Sequence, residues 1–302
     1  MAARRFNPAQ IALLREELTR LARELAPTTV RSLYYQAVLS PVLDFITKDS
    51  SGSKSNYTAV QSRVLELRQE GLIGWDAVFD SSRTDYSFER WSAPADFASI
   101  APLCYRLDLW RDQPTRPIVL VEKDGQIPVY RGHAERFGVD VWACKGYGSS
   151  SHLRLLALSI RENLEASQRV KVVVGADFDP SGCDWPRAAE AEIRQQLGLS
   201  STDPRLVFER ELVTFSDVLD LGPAVALRAP NPKDTRTTAW LHEYGFDAHT
   251  EAVVEMDAIS PAVARQRMQR HFEQLYMDDF EEALGQQQQH RSEIQKALAG
   301  LV

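Results

Sequence analysis

The chain opens with apolar residues at helical spacing. Asn7 followed by Pro8 reads as a helix start, and Ile11, Leu14, Leu18 and Leu21 recur with charges between them, which predicts an amphipathic helix over 8–25. Pro27 ends it. Thr28 or Thr29 can cap a second helix through Val30, Leu33, Tyr34, Ala37 and Val38, which runs until Pro41. The polar stretch 48–55 is loop-like. Asn56 is positioned to cap a third helix to about Glu70, with Val60, Val64 and Leu67 on one face and Gly71 as its C-terminal cap. A short apolar segment, 72–78, reads as a strand. Helix, helix, polar turn, helix, short strand is the pattern of a winged-helix DNA-binding module. Arg63 and Arg68 would then lie on the helix that enters the major groove. The same pattern also describes a helical cap with solvated arginines.

Residues 81–115 mix polar runs with isolated aromatics and read as a connector. From Pro117 the period changes. Apolar runs at 117–122, 139–144 and 170–177 alternate with helical stretches ending near Phe137, Ala166 and Leu197. That alternation predicts an α/β domain with a parallel sheet covered on both faces. After Arg205 come a strand-like LVFERELV, a Pro-rich loop over 227–236, the apolar-acidic VVEMDAI (253–259) and further helices. The expected layout is a winged helix over 1–80, a connector over 81–115, and the α/β domain with a C-terminal extension over 116–302.

Composition changes this picture little. Hydrophobic residues at 44% and charged residues at 25% exclude disordered and collagen-like classes. Three dispersed cysteines argue against a disulfide framework or a thiolate zinc site. No apolar run approaches a membrane span and the N-terminus lacks a signal-peptide core, so a cytoplasmic, nucleoid-associated location without membrane contact is expected. The net charge is −7, yet residues 1–70 hold ten Lys/Arg against seven Asp/Glu, which fits a DNA-touching front and a carboxylate-rich back.

The sharpest chemical signal is three carboxylates at strand ends. Glu122 closes one apolar strand, Asp177 closes another, and Asp179 lies in the turn that follows. Ligands of open α/β sheets gather beyond the carboxyl ends of strands. Carboxylates converging there repel unless a hard cation sits between them, and Mg2+ is the natural occupant. Pro180 and Gly182 make the tight turn. Lys123 and Lys145 are candidate phosphate contacts, and Gly146, Gly148 and Ser149 could bring backbone N–H groups to a phosphate. Arg83 is a weaker DNA-contact candidate, and Glu255 and Asp257 read as a secondary, structural acidic pair.

The segments VEKDG (121–125), CKGYGSS (144–150) and DFDPSG (177–182) resemble the Toprim domain, and within it the DNA-cleaving subunit of topoisomerase VI, a type IIB topoisomerase, together with its relative, the meiotic break-forming transesterase. The likeness extends to TTVRSLYYQAV (28–38), where Arg31 and Tyr35 match the spacing of that subunit's arginine and active tyrosine. The resemblance implies Mg2+ at Glu122, Asp177 and Asp179. It also implies attack by Tyr35 on DNA to leave a 5′-phosphotyrosyl break, and a homodimer in which each tyrosine meets the partner's metal. Arg31 would stabilise the phenolate or the scissile phosphate. Tyr34 competes for the nucleophile's role but fits a core aromatic better. Two departures stand out: the loop reads GYGSS, with glycine where the family often has proline, and the chain has no GxxxxGK[ST]. Strand passage would therefore need a separate ATPase subunit. The competing readings are a hydrolytic Toprim nuclease and a non-catalytic DNA-binding partner.

Overall fold

In a computed structural model, residues 6–48, 54–79, 89–144, 150–221 and 229–301 are described. Helix α1 (Pro8–Leu25) begins with a capping box. The Asn7 side chain accepts from the Gln10 N–H (2.8 Å), and Gln10 returns the bond to the Asn7 N–H (3.1 Å). Helix α2 (Val30–Leu39) is capped by Thr29, which accepts from the Ser32 N–H at 3.0 Å. Helix α3 (Lys54–Gln69) starts before Asn56. Asn56 is therefore not its cap: its side chain is buried and donates to the Thr47 carbonyl at 2.8 Å. Gly71, at φ +76°, takes the left-handed turn after α3.

The strand expected over 72–78 shrinks to β2 (Val78–Phe79), which pairs in parallel with β1 (Thr28–Thr29). The residues before it form a turn closed by Ala77 N–H to Gly74 O at 3.2 Å. Trp75, 61% exposed, stacks on Arg68 there instead of entering a ladder. A winged helix is not established by these elements, and its expected wing, with Arg83, lies outside the described residues.

Within the connector, helix α4 (Pro94–Cys104) forms. The α/β region supplies β3 (Thr115–Val121), α5 (Ile127–Arg136), β4 (Asp140–Ala143), α6 (Ser150–Glu165), β5 (Arg169–Gly175), α7 (Pro180–Leu197) and β6 (Leu206–Leu212). The four strands form one parallel sheet in the order β4-β3-β5-β6. The central strands are apolar and buried over 117–121 and 172–175 because both faces are covered there, as expected, whereas β6 carries Glu209, Arg210 and Glu211. Ile118, Leu120, Val172 and Val174 pack with Leu153, Leu156, Ile160 and Trp185 under α6 and α7. Val119, Val121 and Val173 face the other way, in a cluster with Val129 and Tyr130 of α5. That second cluster is continuous with Leu14, Leu18, Leu33 and Tyr35 of the N-terminal helices.

The remaining chain adds α8 (Phe215–Leu221), α9 (Thr237–Tyr244), α10 (Pro261–Leu275) and α11 (Phe280–Leu298). The GQQQQH tract lies inside α11. It docks α4's exit: the Leu107 N–H donates to Gln287 at 2.9 Å, and Tyr105 meets His290 at 2.8 Å. Among the described residues no helix is long and apolar enough to cross a membrane.

Candidate functional site

Strands β3 and β5 are neighbours, with Val121 opposite Gly175. The residues just beyond them therefore share the carboxyl edge of the sheet. The ladder continues one step, Glu122 N–H to Gly175 O at 2.9 Å. The Asp177 N–H then donates to the Glu122 carboxylate at 3.0 Å. The structure thus joins the two acidic residues that the strand pattern singles out. Burial, and next the charge of Asp177, push the Glu122 carboxyl above its usual range.

Asp179 turns the chain into α7. Its carboxylate accepts from the Gly182 N–H at 2.6 Å, and Pro180 occupies the first turn. Gly182 is required for close approach: a Cβ there would lie 2.1 Å from the Asp177 carbonyl oxygen. Arg210, from β6, clamps the turn from the far side by donating to the carbonyls of Ala176 (3.0 Å), Val213 (3.1 Å) and Gly182.

Glu255 and Asp257, structural on sequence alone, belong to this centre. Phe178 and Val254 form an antiparallel bridge, with N–H to O distances of 2.7 and 3.1 Å. The bridge lays the 253–259 segment along the DFD turn. The Met256 N–H then donates to Asp177 at 2.8 Å. Glu255 and Asp257 flank that bond. Asp257 is buried and accepts from Gln126 at 2.9 Å and from Thr29 at 3.4 Å. Burial raises its carboxyl, while Lys123 and Arg31 pull it back. The acidic i, i+2 spacing of Glu255 and Asp257 repeats that of Asp177 and Asp179, and is the one signal of their role that the sequence carries.

Two cations sit among these carboxylates. Lys123 Nζ lies 2.6 Å from Asp177 and 3.9 Å from Glu255. Arg31 is ion-paired to Glu255 and lies 3.4 Å from Asp257. Lys123 and Arg31, expected to contact phosphate, are thus held by the acidic centre of their own chain.

Tyr35 lies one turn along α2 from Arg31 and is 2% exposed. Lys48 donates a hydrogen bond to its hydroxyl. Burial pushes the phenol well above its usual value; Arg31 opposes this, while Asp257 and Asp177 add to it. Tyr34 is buried too, edge-on to Tyr57 and to Tyr35. Arg63 is paired to Glu66 at 2.6 Å, and Arg68 donates to the Trp75 carbonyl at 2.8 Å. Lys145, Gly146, Gly148 and Ser149 lie outside the described residues.

Among the described residues no three acidic, histidine or cysteine side chains are gathered as a metal-holding group. The donor set nonetheless fits a hard divalent cation. The Glu122 carboxylate accepts from the Asp177 N–H, both side chains offer oxygen donors, Glu122 is raised by burial and then by the charge of Asp177, and magnesium commonly uses one or two carboxylates with water. No protein-family model matches the chain, and comparison with curated proteins and with solved structures finds no match either.

Proposed function

We propose that this chain cleaves DNA with the help of a divalent cation, as a winged-helix and Toprim protein similar to the DNA-cleaving subunit of topoisomerase VI. The observation that carries the reading is the meeting of Glu122 and Asp177 at the carboxyl ends of adjacent parallel strands, with Asp179 in the next turn. Mg2+ held by these three residues would neutralise charge developing on the phosphate oxygens. Tyr35 supplies the nucleophile. Its hydroxyl loses a proton to water, its oxygen bonds to phosphorus, and the P–O3′ bond breaks. The departing 3′ oxygen takes up a proton, and the 5′ phosphate stays on Tyr35. The Lys48 ammonium, already on the Tyr35 oxygen, stabilises the phenolate. Arg63, Arg68, Lys123 and Lys145 are the proposed DNA contacts. A homodimer, and a separate ATPase subunit for any strand passage, belong to the same reading.

Hydrolysis is the second reading, with water in place of Tyr35. It is favoured by the burial of Tyr35 and by the raised proton affinity of its phenol.

Incubation with DNA and Mg2+, followed by denaturant, separates the two. Protein attached to 5′ ends, and lost in Tyr35→Phe, supports the transesterase. Cleavage that survives Tyr35→Phe but not Asp177→Ala supports hydrolysis. No cleavage under this protocol, with an ATPase partner supplied, overturns both.

A further inference from the structure

The acidic centre carries its own counter-cations, and one of them comes from the helix that bears Tyr35. Carboxylates line this edge of the sheet, among them Glu122, Asp177, Glu255 and Asp257. Two cations answer them. Lys123 is placed by β3's end, one residue past Glu122, and contacts Asp177 and Glu255. Arg31 reaches in from α2 to Glu255 and Asp257. Both keep part of their side chains in solvent, 35% for Lys123 and 48% for Arg31, so each has somewhere to go. The other bonds from α2 and its Thr29 cap to this segment come from neutral donors: the Thr29 hydroxyl to Asp257 at 3.4 Å and the Gln36 amide to the Ala258 carbonyl at 3.2 Å. Arg31 is therefore the cationic tie between the Tyr35 helix and the acidic centre among the described residues.

Resting on the reading of this centre as a divalent-cation site, we propose that Lys123 and Arg31 occupy it as internal counter-cations, that an arriving divalent cation displaces them, and that loss of the Arg31 tie loosens α2 around Tyr35. Like charges cannot share so small a space without mutual cost, because two cations a few ångströms apart in a partly buried site repel strongly. A divalent ion bound by Asp177 thus acts against the Lys123 contact, and, through Glu255 and Asp257, against Arg31. Glu255 and Asp257 hold Arg31, and through it the helix that carries Tyr35, which makes them positioning residues. Tyr35 is buried while the counter-cations are seated. In this arrangement the nucleophile is withheld until the centre is loaded.

The test needs no DNA. Mn2+ is titrated calorimetrically into the full chain and into Lys123→Gln and Arg31→Gln, with thermal unfolding of each variant confirming the fold. Amide hydrogen exchange over residues 30–39 is followed with and without Mn2+. Removing a competing cation tightens Mn2+ binding by about tenfold in each variant. In the parent chain, Mn2+ speeds exchange in α2; in Arg31→Gln, exchange is already fast and Mn2+ changes it little. If the parent chain binds no Mn2+, the reading of the centre as a cation site falls, and this inference with it. If the parent binds but the variants bind equally or more weakly, or α2 exchange is unmoved by Mn2+, the counter-cation inference falls alone.

Discussion

Arg31 of α2 is ion-paired to Glu255, a residue brought to the sheet edge by the bridge between Phe178 and Val254. That pair links the N-terminal helices to the DFD turn through a third, distant stretch of chain. It also explains why α2 and the acidic edge share one electrostatic environment. The charges that act on the Tyr35 phenol are Arg31, Asp257 and Asp177, from three different parts of the sequence.

Glu122→Gln should raise stability while removing cation binding. The glutamate carboxyl is held above its usual range by burial and by Asp177. A carboxyl raised on folding contributes stability below its unfolded pKa and loses it as pH rises through the folded value. Glutamine carries no charge at any pH, and its amide oxygen can still accept the Asp177 N–H. The melting temperature of the variant should therefore exceed that of the parent at pH 7, with the gap closing as pH falls toward the carboxylate range. Calorimetric Mn2+ binding should be lost. A lower melting temperature at pH 7 would contradict the assignment of Glu122 as an electrostatically strained group.

Gly182→Ala should damage the centre through the backbone. The added methyl would meet the Asp177 carbonyl oxygen, which cannot swing aside as a side-chain end could. The turn must open, and Asp177 then loses its place between Lys123 and the Met256 N–H. A loss of about 3 kcal/mol or more in urea unfolding is expected, with weakened Mn2+ binding in whatever remains folded.

The sheet is legible in the sequence because three apolar runs, 117–122, 139–144 and 170–177, are too short and too valine-rich for helices, and each ends at a polar turn. The first two helices are legible from Asn7, Pro8, Thr29 and the apolar spacing. What fails depends on distant partners. Asn56 has the chemistry of a cap, but the Thr47 carbonyl takes its side chain. Residues 72–77 are apolar enough for a strand, yet Arg68 stacks on Trp75 and the backbone turns. Glu255 and Asp257 resemble a structural acidic pair because nothing local announces the pairing of Val254 with Phe178. Spacing matches Arg31 to a phosphate-contacting role, and spacing does not reveal the carboxylates opposite it.

The Asp179 side chain has two separable roles. Asp179→Ala removes the acceptor for the Gly182 N–H and should cost about 1 kcal/mol, the usual loss for an N-cap. Asp179→Asn keeps an oxygen there and should retain most of that stability. Both lose the charge proposed to face the cation, so both should weaken Mn2+ binding alike. If Asp179→Asn bound Mn2+ as the parent does, Asp179 would be a helix cap and nothing more.

His271 should make the fold acid-sensitive at a place remote from the acidic edge. The ring is buried on α10, its Nε2 has no hydrogen-bond partner among the described residues, and its Nδ1 lies 3.4 Å from Glu211. Burial, and then Lys171, lower its pKa to about 4, against an ordinary value of 6.5, while Glu209 opposes them. Glu211 is itself raised by burial and by Glu209, and Arg267 of the same helix pulls it back. The unfolded chain thus takes up a proton near pH 6.5 that the folded chain refuses until about pH 4. Stability is fully present above 6.5 and drains away as pH falls through that window, by about 3 kcal/mol. His271→Gln removes the titrating ring and should flatten this part of the profile relative to the parent, with the carboxylate slope below it retained. Urea unfolding at half-unit pH steps measures the difference, and identical slopes in both proteins would show that the His271 ring is protonated as readily when folded as when unfolded.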